Sequence, residues 1–121
     1  MISKNNFLNI MKIWEQFDRK TDDFNKALEK TLGMPFGEGE TDWEQENGVW
    51  CFWGLDGFRK VIKEIFLDCG ETDEGADYWL YEGFDMIVSG CGTEVGIDGK
   101  EYEINNWEDL YNYLLDLKQE N

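Results

Sequence analysis

Apolar residues recur at three- and four-residue intervals through most of this chain, and this spacing places them on one face of an α-helix. In the first such stretch, Ser3 can cap a helix that runs to about Arg19. Thr21 then restarts a helix that Gly33 ends, and we expect the two helices to form a hairpin. The apolar residues of these helices are Phe7, Ile10, Met11, Trp14 and Phe17, then Phe24, Ala27, Leu28 and Leu32.

The second half of the chain contains two further helical stripes and one hairpin signal. A helix over residues 55–69 ends at Gly70, and a terminal helix follows Asn105, which with Glu108 resembles a capping box. Between them, Asp98-Gly99 separates two short apolar runs, which predicts a two-stranded β-hairpin. The apolar residues are Leu55, Phe58, Val61, Ile62, Ile65, Phe66, Cys69, Trp107, Leu110, Tyr111, Leu114 and Leu117 in the helices, and Val95, Ile97, Tyr102 and Ile104 in the hairpin.

For two short segments, the sequence pattern does not decide between helix and strand. Residues 49–53 are too few for their pattern to separate the two, and the aromatic residues of 78–88 suit either. We favour a helix for both, the second because Thr72 can act as an N-cap with acidic residues after it. Residues 33–48 contain the only proline, four glycines and alternating carboxylates, and so predict an exposed acidic loop. The predicted class is α+β, mainly α: one compact domain of about five helices with a small C-terminal β-hairpin.

The charge of the chain is strongly negative and uneven. Its 121 residues include 27 acidic and 11 basic residues and no histidine, a net charge of −16. From Glu64 to the end, the many carboxylates are accompanied by only two basic residues, Lys100 and Lys118. Such a field repels nucleic acid and anionic membranes, and it speeds association with a positively charged groove. We therefore expect a partner with a basic surface and no direct binding of nucleic acid or membrane; the alternative is a surface that only keeps the protein soluble.

The aromatic and cysteine residues predict a folded protein in a reducing compartment. Six Trp, five Tyr and eight Phe are incompatible with a disordered acidic tail. Cys51, Cys69 and Cys91 are odd in number and form no C-x-x-C pair, so we expect buried free thiols in a reducing compartment. No apolar run suits a signal peptide or a membrane span, which predicts a cytoplasmic protein.

The sequence lacks the patterns of most enzymes. Without histidine it has no usual serine or cysteine triad and no histidine-containing zinc signature. The acids at Glu71, Asp73, Glu74 and Asp77 could collect a divalent cation weakly, but a solvated turn is the better interpretation. We therefore predict a protein without catalytic residues, metal or cofactor, and rank a metal-dependent enzyme as the last alternative.

Acidic residues that flank aromatic ones predict a docking surface. A ring can anchor in a basic groove while carboxylates bind its arginines and lysines, and spaced carboxylates can imitate the phosphates of a duplex. Each ring can instead point inward beside outward charges. The candidate partner-binding residues are Glu38, Glu40, Asp42, Trp43, Glu44, Glu46, Asp68, Glu71, Asp73, Glu74, Asp77, Glu101 and Glu103.

Five motifs follow one another along the chain: F-x-x-I-M-K, L-x-K-x-L, I-F-L-D, Y-W-L-Y-E-G-F-D and E-D-L-Y-N-Y-L. Their order resembles small accessory proteins of Firmicutes phages and prophages, which include acidic inhibitors of the anti-CRISPR and anti-restriction kinds. The resemblance implies a non-catalytic inhibitor from a phage or mobile element. With the charge, it predicts a protein that blocks the nucleic-acid channel of a host-defence nuclease, a Cas9-type effector being the first to test. Residues 96–111 are similar to barstar-like inhibitors, which implies the alternative of an immunity protein or antitoxin for a toxin nuclease.

Overall fold

The computed structural model describes residues 2–16, 26, 27, 30 and 54–120. The predicted acidic loop, residues 49–53 and Cys51 lie outside these residues, as does most of the predicted second helix, although residues 26, 27 and 30 are helical. The chain divides into two compact units, Met1–Lys4 with Ile62–Asn121, and Asn5–Val61.

The unit Asn5–Val61 contains most of helix α1 (Lys4–Gln16), which starts directly after Ser3 as predicted. Its buried residues follow the expected helical spacing, and the ring of Trp14 lies 4.8 Å from that of Phe58. The predicted end at Arg19 lies outside the described residues. The buried residues of α1 are Phe7, Ile10, Met11, Ile13 and Trp14.

Helix α2 (Gly54–Asp68) begins in this unit and ends in the other. Its end is a Schellman motif, in which the amide of Gly70 bonds to the carbonyl of Leu67 and that of Glu71 to the carbonyl of Phe66. Gly70 has a φ of 90°, a conformation that glycine adopts without strain, so the predicted stop is confirmed.

One continuous helical segment follows, built from α3 (Asp73–Tyr78), a π-helical turn (Trp79–Gly83) and α4 (Phe84–Val88). Thr72 caps it as predicted, since its hydroxyl accepts a hydrogen bond of 3.0 Å from the amide of Gly75. The question of helix or strand over residues 78–88 is therefore settled in favour of helix.

The π-helical turn is a feature that the apolar spacing did not predict. The amide of Phe84 bonds to the carbonyl of Trp79, five residues back, where an α-helix would use a residue four back. A Cβ atom on Gly83 would collide with the indole ring of Trp79. The absence of a side chain at Gly83 thus lets the large ring lie against the backbone of its own turn.

The predicted hairpin is confirmed: β1 (Thr93–Ile97) pairs with β2 (Lys100–Ile104) in antiparallel register. Asp98 and Gly99 have φ values of 48° and 83°, which suit a two-residue turn with both residues left-handed. One face of the hairpin contacts helix α5 (Trp107–Glu120), because the ring of Tyr102 lies 5.7 Å from that of Tyr113.

The N-terminus of α5 is capped one residue later than predicted. The side chain of Asn106, rather than that of Asn105, accepts a hydrogen bond of 2.8 Å from the amide of Asp109, and the carboxylate of Asp109 accepts one from the amide of Asn105. The side chain of Asn105 lies instead where a Cβ on Gly92 would stand. Glu108, the predicted second residue of the box, forms an ion pair with Lys4.

Aromatic rings hold the C-terminal unit together. The ring centre of Phe84 lies 6.0 Å from that of Phe66 and 5.6 Å from that of Trp107. The ring centre of Trp79 lies 6.0 Å from that of Tyr113. These contacts join the segment 73–88 to α2 and α5. The predicted class, α+β and mainly α, is confirmed.

The cysteine prediction holds at one described position and fails at the other. Cys69 is buried, and burial raises the pKa of its thiol. Cys91 is exposed, contrary to the prediction. It lies between Gly90 and Gly92, both with positive φ, before the hairpin begins. Among the described helices, none is both long and apolar enough to cross a membrane.

Candidate partner-binding surface

The register of the hairpin brings three glutamates onto one exposed face, which we call the hairpin face: Glu94, Glu101 and Glu103. Glu94 lies directly opposite Glu103, and Glu101 lies opposite Gly96. Because side chains alternate along a strand, these residues point away from the face that carries Tyr102. All three glutamates are exposed.

The hairpin face has no positive charge of its own. Directly opposite residues in such a ribbon have Cβ atoms about 4.5–5.5 Å apart, so the carboxylates of Glu94 and Glu103 repel each other. Within the part of the chain that the structure describes, none of the three glutamates forms an ion pair or a side-chain hydrogen bond. Lys100 belongs to the other face, where its ammonium lies 4.9 Å from the centre of the Tyr102 ring.

The acids around the turn between α2 and α3 differ from those of the hairpin face, because lysines form ion pairs with most of them. Nζ of Lys118 is 2.9 Å from Asp68, and Nζ of Lys63 is 3.3 Å from Asp73 and 3.4 Å from Asp77. The hydrogen bond from Lys118 lowers the pKa of Asp68, and the one from Lys63 to Asp73 raises the pKa of Lys63. These contacts offset much of the negative charge of the turn.

The half-buried carboxylate of Glu71 is hydrogen-bonded to other residues of the unit that contains Ile62–Asn121. Its Oε2 accepts hydrogen bonds from the hydroxyl of Tyr113 at 3.0 Å and from the indole N–H of Trp79 at 3.4 Å, and its Oε1 accepts one from the amide of Thr72 at 3.1 Å. Burial and the charge of Glu71 together raise the pKa of Tyr113 well above its usual value. Glu71 therefore connects α5, the π-helical turn and the N-terminus of α3 through hydrogen bonds. Its neighbour Glu74 is exposed and forms no ion pair with another described residue.

The predicted site residues thus fall into three groups. Glu101 and Glu103 lie on the same face together with Glu94. Glu94 was not among the predicted site residues, although a two-residue turn at Asp98-Gly99 pairs it with Glu103. The acids of the α2–α3 turn form a separate group, in which Asp68, Glu71, Asp73 and Asp77 have internal partners and Glu74 has none among the described residues. The predicted loop residues lie outside the described part of the chain: Glu38, Glu40, Asp42, Trp43, Glu44 and Glu46.

An open groove of about 260 Å³ adjoins the other face of the hairpin. Its lining mixes both signs of charge, so it does not extend the hairpin face. The lining residues are Ile97, Asp98, Lys100, Tyr102, Asp116 and Gln119. In residues 2–16, 26, 27, 30 and 54–120, no group of three or more Cys, Asp or Glu side chains is placed to hold a metal ion.

No protein-family model, curated protein or solved structure matches this chain. Its function is therefore inferred from the geometry and charge of the hairpin face.

Proposed function

We propose that this protein is a non-catalytic inhibitor that places its hairpin face in the basic nucleic-acid-binding groove of a nuclease. The observation that supports this most directly is the exposed trio Glu94, Glu101 and Glu103, which has no cation on its own face. A groove lined with arginine and lysine gains most of its affinity for nucleic acid from phosphate charge. Carboxylates fixed on a rigid ribbon compete for the same side chains.

The ribbon holds these carboxylates in place before binding. The Tyr102 hydroxyl donates a hydrogen bond of 3.0 Å to Asp116, and its ring contacts Tyr113, so the hairpin is attached to α5. Because the face is ordered before binding, less conformational entropy is lost when the complex forms. The repulsion between Glu94 and Glu103 also favours a complex, because a basic side chain placed between them relieves it.

The kind of target follows from the charge and from the resemblance to phage and prophage accessory proteins. The net charge of −16 opposes binding to DNA or RNA and favours a basic protein. The proposed target is a host-defence nuclease in the bacterial cytoplasm, with a Cas9-type effector as the first candidate. Such an effector holds its guide–target duplex in a positively charged channel by shape and backbone contacts, which an acidic protein can occupy.

The test measures DNA binding and cleavage by a guide-loaded Cas9-type effector with increasing amounts of this protein. The wild-type chain should weaken DNA binding in proportion to its concentration, and more strongly at low salt. The triple variant Glu94→Gln, Glu101→Gln, Glu103→Gln should lose about tenfold or more in inhibition.

The matched control removes the same number of charges from the paired acids, as Asp68→Asn, Asp73→Asn, Asp77→Asn. This control should retain most of the inhibition, since those carboxylates already have lysine partners. Restriction nucleases and toxin nucleases are tested in the same way. Equal losses in both variants, or no effect of the wild-type protein on any of these nucleases, would contradict the proposal.

A further inference from the structure

Strand β1 is an edge of the two-stranded sheet, and part of its backbone has no partner in that sheet. Ile97 and Lys100 flank the two-residue turn, so they form a hydrogen-bonded pair. Because hydrogen-bonded and non-bonded pairs alternate along an antiparallel ribbon, Glu94 and Gly96 belong to non-bonded pairs. The amide and carbonyl groups of these two residues therefore point away from β2.

These backbone groups are open to another strand. Glu94 and Gly96 are exposed, and among the described residues none forms a hydrogen bond with their outward amides or carbonyls. The other strand, β2, lies against helix α5, where Tyr102 contacts Tyr113. An unpaired strand edge of this kind is a template for the backbone of a further extended segment.

The side chains beside this edge define the chemistry of such a segment. In a strand added to β1, the residue opposite Glu94 would share the hairpin face with it, and a basic residue there would form an opposite-charge pair. The residue opposite Gly96 would lie on the same face. Because Gly96 has no side chain, a long basic side chain can extend over it toward Glu101, which lies in β2 about 9–10 Å from the added strand.

The position between these two has a different environment. A residue opposite Val95 would lie on the other face of the sheet, where Val95 is half-buried beside Tyr102. An apolar residue suits this position. A hydrogen bond of 2.6 Å between the hydroxyls of Thr93 and Tyr78 attaches the start of β1 to the helical segment 73–88. The edge is thus ordered before a strand arrives, so less conformational entropy is lost on binding.

We propose that β1 binds an extended segment of the partner protein, which adds to the sheet as an antiparallel strand with the pattern basic–apolar–basic. The inference rests on the proposed function in one respect: the segment belongs to the same basic protein that contacts the hairpin face. Backbone hydrogen bonds to Glu94 and Gly96 supply affinity, and the basic residues supply specificity. A second copy of this chain is disfavoured as the occupant, because each copy has a charge of −16.

The test uses a fluorescent peptide of alternating arginine and valine, unmodified and in two N-methylated forms. The arginine amides of the bound peptide would face β1, because the arginines lie directly opposite Glu94 and Gly96, whereas the valine amides would face away. Methylation of the backbone nitrogen of every arginine removes these donors and should weaken binding in fluorescence anisotropy by about tenfold or more. The matched control, with the backbone nitrogen of every valine methylated, has the same charge and should bind as the unmodified peptide does.

Variants of the protein and amide hydrogen exchange locate the bound peptide. Glu94→Gln should weaken binding of the unmodified peptide by about two- to fivefold, since it removes one opposite-charge pair. The matched control Glu74→Gln removes one charge from an exposed residue outside the hairpin and should leave binding unchanged. The amides of Glu94 and Gly96 should exchange rapidly in the free protein and become protected when the peptide binds.

Three outcomes would overturn the inference. Equal binding of the two methylated peptides would show attraction by net charge alone. Protection of the amides of Glu101 and Glu103, in place of those of Glu94 and Gly96, would show that the strand adds to β2. Protection of the Glu94 and Gly96 amides in a dimer without peptide would show that the occupant is a second copy. Failure of this inference leaves nuclease inhibition by the hairpin face intact, whereas failure of the proposed function leaves peptide binding at β1 intact.

Discussion

The hydroxyl of Tyr113 on α5 donates a 3.0 Å hydrogen bond to Oε2 of Glu71, which lies 42 residues earlier in the chain. The same oxygen accepts a longer bond from Trp79, and the amide of Thr72 donates to the other oxygen. One carboxylate therefore connects the turn after α2, the π-helical turn and α5. Trp79 and Tyr113 are buried, so their polar groups need this acceptor.

Loss of the Glu71 carboxylate should destabilise the fold more than loss of the Tyr113 hydroxyl. Glu71→Ala leaves two buried donors without an acceptor, and we expect a cost of about 2–3 kcal/mol in the free energy of unfolding. Tyr113→Phe removes one donor and should cost about 1–2 kcal/mol. Urea unfolding measures both. The double variant should lose less than the sum of the single losses, and strict additivity would show that the two groups do not interact.

Alkaline pH should weaken the fold through Tyr113. Burial, followed by the charge of Glu71, raises the pKa of Tyr113 above its ordinary value of 10.0. The protonated hydroxyl is favoured in the folded state, so its contribution is complete below about pH 10 and is lost as the pH rises further. Burial of Cys69 raises the pKa of its thiol and acts in the same direction, from a lower starting value of 9.0.

The measurement for this prediction is the free energy of urea unfolding between about pH 8 and pH 11. Tyr113→Phe should show a shallower decline than the wild type above about pH 10 and the same dependence below it. Cys69 is present in both proteins, so its contribution cancels in the comparison. Parallel curves over the whole range would contradict the assigned role of Tyr113.

Gly83→Ala should destabilise the protein, although alanine is the better helix former. An ordinary helical glycine gains about 0.5–1 kcal/mol on this change. Here the added Cβ collides with the Trp79 ring, and overpacking of this kind costs about 1–3 kcal/mol. The control is Gly96→Ala in β1, where the added Cβ would lie 3.6 Å from the nearest atom, an ordinary contact. Thermal unfolding should show a loss for the first variant and no loss for the second.

The sequence predicted those parts of the fold that depend on local chemistry. The apolar stripe of α1, the glycine at 70 and the Asp98-Gly99 turn each determine structure within a few residues, and each is confirmed. The π-helical turn depends on how the Trp79 ring packs against Gly83 and Tyr113, and no spacing of apolar residues encodes that.

The candidate site was predicted only where register follows from the turn. Glu101 and Glu103 lie on one exposed face because strand residues alternate, and the register set by the two-residue turn places Glu94 opposite Glu103 on the same face. The role of Asp68 could not be predicted, because its partner Lys118 is 50 residues away and meets it only through the tertiary fold. A run of acids in sequence therefore overstates the charge that remains available for a partner.

The helix α5 provides a test between two adjacent candidate caps. Asn106→Ala removes the side-chain acceptor of the Asp109 amide and should cost about 1 kcal/mol in the free energy of unfolding. Asn105→Ala leaves that bond in place, and the Asn105 amide can still donate to Asp109. It should cost less than about 0.5 kcal/mol. Urea unfolding distinguishes the two, and a larger loss at Asn105 would favour the cap predicted from the sequence.

Glu94→Lys should separate the stability of the hairpin from its proposed activity. The introduced lysine would lie opposite Glu103 and replace a repulsive pair by an attractive one. The free energy of unfolding should rise by about 0.2–1 kcal/mol, with a smaller gain at high salt because both charges are exposed. Inhibition of a basic nuclease should fall, since the change removes one carboxylate and adds a cation to the hairpin face. Glu94→Gln, which only removes the repulsion, should lie between the wild type and Glu94→Lys in both measurements. A variant that gains stability and inhibits as well as the wild type would show that the hairpin face is not the binding surface.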